Sequence, residues 1–129
     1  MLIPNQFKVN DAWIAFRLNK APIRTERDGA FDCIALMDAA SCFLLCSELI
    51  PAKGEPSAAQ SQKLLSDGQR HHDVLPKTLY VPTGEVAELL IQEASRLAID
   101  VVRVPERELL AFIGEARQGF TEKFGSALH

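Results

Sequence analysis

Beyond residue 77 the chain alternates between two periodicities. Lys77-Thr-Leu-Tyr-Val-Pro82 and Asp100-Val-Val-Arg-Val104 are short, apolar and rich in β-branched residues. Between them Val86, Leu89, Leu90, Ala94 and Leu97 recur at helical spacing, opposite Glu85, Glu88, Gln92, Ser95 and Arg96. The pattern predicts a strand, a helix over 85–98 with Thr83 as N-cap, a second strand, and a helix over 106–124 opened by Pro105. That last helix carries Leu109, Ile113, Ala116, Phe120 and Phe124 on one stripe, and Gly114 and Gly119 weaken it enough to predict a bend or break near 119. Two strands joined by a crossover helix pair in parallel, so the chain is predicted to be layered α/β.

The first half reads as three further strands and a helix. Residues 12–18 form the first, with Ile14, Phe16 and Leu18 on one side and Trp13, Ala15 and Arg17 on the other. Segment 19–29 holds Lys20, Arg24 and Arg27 beside Glu26 and Asp28, broken by Pro22 and Gly29, and is predicted to be a solvated loop. Runs 31–37 and 42–50 are predicted to form a hairpin about a turn at 38–41, a register that sets Cys33 opposite Cys46. Ser57 and Gln60 have capping-box spacing and open a helix through Leu64 and Leu65, ended or weakened at Gly68. His71-His72-Asp73 falls in a loop, and residues 1–10 are expected to be loosely ordered.

Composition adds exclusions. With 129 residues, 47% hydrophobic and 24% charged, the chain suits one globular domain spanning 1–129. A net charge of −3 gives no general attraction to nucleic-acid backbones or anionic membranes. The N-terminus lacks a basic lead and a sustained apolar run, so a cytoplasmic, non-membrane protein is expected. Cys33, Cys42 and Cys46 have no metal-binding spacing and are expected to be reduced core thiols, with a redox-sensitive cross-strand pair as the sharper alternative.

The element order of strand, strand, strand, helix, strand, helix, strand, helix over 12–124 resembles the ribonuclease H-like superfold. The portion 77–104 is also similar to small uncharacterised bacterial proteins of this kind, a likeness that implies no activity. The superfold implies a three-layer mixed α/β domain: a five-stranded mixed sheet of order 3-2-1-4-5, helices on its faces, and the first, fourth and fifth strands parallel. It also implies a test. Active members place carboxylates in the first strand, near the end of the fourth and in or near the last helix, where they hold two metal ions. Here residues 13–18 contain no acid, and the fourth strand runs into Val81-Pro82-Thr83 with Glu85 as its nearest acid. Only Glu106, Glu108 and Glu115 remain to supply a last-helix carboxylate.

No other catalytic set emerges. His71-His72-Asp73 lacks any nucleophile motif beside it, and Cys42 and Cys46 sit in an apolar run with no activating cation. No catalytic residue, metal ligand or cofactor is therefore expected. The sequence points to a non-catalytic domain binding a protein partner or a small anionic ligand, with a divergent metal-dependent hydrolase or nuclease as the alternative. The predicted ligand crevice lies between the first and fourth strands, beyond their carboxyl ends. Arg17 and Lys20 would supply positive charge there, and Thr83 and Gly84 a hydroxyl and the free N–H groups of a helix start.

Overall fold

The computed structural model describes residues 1–124, the last of them by backbone alone. Six strands and three helices follow in the order β1 (Ala12–Arg17), β2 (Ile23–Thr25), β3 (Gly29–Asp38), β4 (Leu44–Pro51), α1 (Ala58–Gln69), β5 (Thr78–Pro82), α2 (Glu88–Arg96), β6 (Asp100–Val104) and α3 (Leu110–Phe124). They form one mixed sheet of order β2-β3-β1-β5-β6, with β4 paired to β3. β1, β5 and β6 are parallel, whereas β3 is antiparallel to β1, β2 and β4.

Alternation along the strands divides the core. Trp13, Ala15, Ile34, Leu36 and Leu79 point to one face and meet Leu64 and Leu65 of α1 and Leu90 and Ala94 of α2. Ile14, Phe16, Ala35 and Met37 point to the other and meet Leu109, Phe112 and Ile113. Both faces of the central strands are thus buried, which is why β1 reads as a continuous apolar run. Each fully buried large side chain contributes about 1.5–3 kcal/mol relative to exposure.

Several expectations are corrected. The sheet has six strands, not five, because segment 19–29 is not wholly a loop: Ile23, Arg24 and Thr25 pair with Phe31, Ala30 and Gly29. Gly29, at φ +86°, closes that hairpin, and the Thr25 hydroxyl bonds across it to the Gly29 carbonyl at 2.9 Å. The β3–β4 turn is longer than expected. The Asp38 carboxylate accepts from the Ser41 N–H and hydroxyl, Cys42 takes φ +59°, and β4 begins only at Leu44. A bulge at Leu36/Met37 follows, so Cys33 lies opposite Leu49 and Cys46 opposite Leu36. Cys33 and Cys46 consequently belong to opposite faces of the sheet, and all three thiols are free.

The helices differ from expectation mainly at their starts. α1 carries the Ser57/Gln60 capping box as read. α2 begins at Glu88 with Ala87 as its N-cap, not at Glu85 after Thr83. Val86 and Leu89 are left exposed, while Leu90 and Ala94 are buried. α3 follows a short 3-10 turn at Glu106–Leu109 and continues without a break through Gly114 and Gly119. The Phe124 side chain, placed on its apolar stripe, lies outside the described residues. Within residues 1–10 the Leu2 N–H donates to the Glu108 carbonyl at 3.1 Å, and Phe7 packs edge-on against Tyr80 and Phe112.

Candidate binding site

Arg17 ends β1, at the carboxyl end of the parallel strands where the crevice was expected. Its side chain is 14% exposed and is wholly engaged inside the protein. Nε donates to Glu85 Oε2 at 2.6 Å, Nη1 is paired with Asp32, and Nη2 donates to the Gly54 carbonyl. The backbone N–H of Arg17 also donates to Glu85 Oε1 at 3.2 Å. One guanidinium thereby ties β1 to β3, to the β4–α1 loop and to the β5–α2 turn.

Its partners are themselves fixed. Asp32 accepts from the Asn19 amide at 2.8 Å and from the Lys53 N–H at 3.0 Å. Burial acts to raise the Asp32 pKa, but the Lys53 N–H, Asn19 and Arg17 outweigh it and hold the carboxylate below its usual range. For Arg17, burial acts to lower the pKa and is outweighed by the hydrogen bonds and charges of Glu85 and Asp32, which raise it. A second row of cations stands behind. Arg103 Nη2 donates to the Glu85 carbonyl at 2.7 Å and to the Thr83 carbonyl at 3.2 Å. Arg117 donates from Nε to the Arg17 carbonyl at 2.8 Å and pairs with Glu106 at 2.6 Å.

The four residues singled out from the sequence therefore fare differently. Arg17 is at the crevice, with its fork occupied by two carboxylates. Thr83 and Gly84 lie on the exposed turn beside it, and the Thr83 N–H is spent on the Val104 carbonyl at 2.9 Å. Thr83 and Gly84 do not open a helix, since α2 starts at Glu88. Lys20 is exposed and makes no ion pair among the described residues.

Asp32, Asn19, Arg103 and Arg117 were not singled out as part of this site, and Glu85 was expected there only as a charge opposing an anionic ligand. Asp32 carried a signal, being a charge inside the apolar run 31–37, where burial demands a partner. Glu85 was assigned to a helix start. Its actual partner is 68 residues away in sequence.

The remaining candidates lie away from this crevice. His71 Nε2 is bonded to the Leu45 carbonyl at 2.7 Å, and its ring packs edge-on against Phe43, while His72 and Asp73 are exposed. Cys46 donates its thiol to the Leu64 carbonyl at 3.2 Å, and burial pushes its pKa up to about 12. Burial likewise raises Cys33 and Cys42. Among the described residues no three His, Cys, Asp or Glu side chains converge as a metal site, and no helix is long and apolar enough to cross a membrane.

A separate cleft of about 1000 Å³ opens between the C-terminal half of α3 and strands β2 to β4. Its floor is apolar, formed by Leu18, Ile23, Phe31, Leu44, Leu49 and Phe120.

No protein-family model matches this chain, and no curated protein does. Among solved structures, a chain of the simian T-cell lymphotropic virus intasome in complex with PP2A regulatory subunit B56 gamma is similar, with a TM-score of 0.59 and 11% identity. The match covers 88% of this chain and 39% of that one. At that identity the likeness is one of fold: a mixed α/β sheet with helices on it.

Proposed function

We propose that this chain is a non-catalytic binding module of ribonuclease H-like topology that acts through a protein partner. The observation that carries this reading is Arg17 set between Glu85 and Asp32. In the superfold that the element order resembles, the first strand supplies a carboxylate to hold metal ions. Here that strand ends on a guanidinium, which pairs with the two nearby carboxylates from within. A cation built into the chain removes both the open ligands and the vacancy that a metal would need. The same closure weighs against a small anionic ligand, because Arg17 is taken and only Lys20 and the Thr83–Gly84 turn remain on offer.

The test is thermal melting in millimolar Mg²⁺ or Mn²⁺, paired with hydrolysis assays on nucleic-acid substrates. A binding module of this kind melts at the same temperature with and without the metal and leaves the substrates intact. A rise of several degrees with turnover would instead establish the divergent hydrolase, since a ligand that binds only the folded state stabilises it.

A further inference from the structure

We propose that the cleft between α3 and strands β2 to β4 binds a helical protein segment with an apolar face flanked by basic residues. Leu44 lies opposite Met37 and Leu49 opposite Cys33, both of which pack with α3, so Leu44 and Leu49 project to the α3 side of the sheet. On the opposite face α1 reaches β4, and Cys46 and Ile50 pack against it. On the α3 side, Leu44 and Leu49 are left 40% and 56% exposed. From Leu44 to Leu49 the floor extends about 17 Å along the strand, which is the length of about three helical turns.

The charge around this floor selects the partner. Asp28 and Glu115 line the cleft beside one cation, Lys123, which is already engaged. Glu48, opposite Ile34, belongs to the α1 face and pairs there with Lys63 at 3.2 Å, while Asp28 and Glu115 have no ion pair among the described residues. An apolar floor with uncompensated carboxylates at its rim is complementary to leucine-like side chains bordered by lysine or arginine, and the chain's charge of −3 favours the same approach. This inference rests on the binding-module reading and gives it a surface.

The experiment is fluorescence anisotropy with a synthetic leucine–lysine amphipathic helix of about 14 residues. Its leucine–glutamate counterpart and a scrambled leucine–lysine sequence serve as comparisons. The intact protein should bind the first saturably and one to one, and the other two at least about tenfold more weakly. Leu49→Asp, and separately Asp28→Lys with Glu115→Lys, should each lower that affinity at least about tenfold with melting temperatures near wild type. Equal binding of all three peptides, or wild-type affinity in both variants, would overturn the proposal. So would a dimer in sedimentation that Leu49→Asp dissolves, which gives the face to a second copy, or peptide binding seen only after removal of residues 125–129. Metal-dependent hydrolysis with unchanged peptide binding would sink the non-catalytic reading alone.

Discussion

A β-carbon placed on Gly68 would lie 2.9 Å from the ring of Trp13. Trp13 is fully buried, and the atoms met are the far edge of a rigid indole held in the core, so it has no room to give. Glycine here lets α1 press onto the sheet. Gly68→Ala, which in an open helix position gains up to about 1 kcal/mol, should instead cost about 1–3 kcal/mol by overpacking. Among the described residues nothing lies within 4 Å of a Cβ placed on Gly114 or Gly119. Alanine at those sites should stabilise by about 0.5–1 kcal/mol. Urea unfolding of the three variants checks both signs, and a stabilised Gly68→Ala would contradict the packing described.

The depressed Asp32 pKa makes stability depend on acid. A carboxyl whose folded pKa lies below its unfolded value contributes stability that is present above the unfolded value, about 3.9, and lost as pH falls through the folded one. Wild-type melting temperature should therefore fall more steeply below about pH 4 than that of Asp32→Asn. Parallel curves from pH 5 to pH 2.5 would show that Asp32 contributes nothing through its charge.

Cys46 should be chemically silent in the native protein. Burial pushes its pKa up to about 12, so little thiolate is present at pH 8 and thiol reagents should react slowly with the folded protein. Mass spectrometry after timed labelling should find Cys46 modified far more slowly in the folded protein than in denaturant. Mild oxidation should yield no Cys33–Cys46 disulfide without denaturant, because the two lie on opposite faces of the sheet.

The parallel strands, the crossover helix and the capping box at Ser57 were legible because each rests on local periodicity or on residues three apart. β2 was not, since three residues following Pro22 in a charged stretch carry no periodicity and become a strand only when β3 offers Phe31 to pair with Ile23. The β3–β4 register was missed for a similar reason: the Asp38 side chain bonds to Ser41 and lengthens the turn, and a bulge then shifts the pairing. At the candidate site the sequence marked Arg17 and its position. It could not show that Glu85 and Asp32, distant along the chain, would close on it.

The closure by Arg17 is tested most directly by the unfolding free energy of Arg17→Met. Removing one member of a buried ion pair strands the other charges, so the variant should lose about 3–5 kcal/mol. Adding Asp32→Asn and Glu85→Gln to Arg17→Met should recover part of that loss, since no uncompensated charge is then left behind. A loss below about 1 kcal/mol for Arg17→Met, the range of a solvated surface pair, would contradict the account.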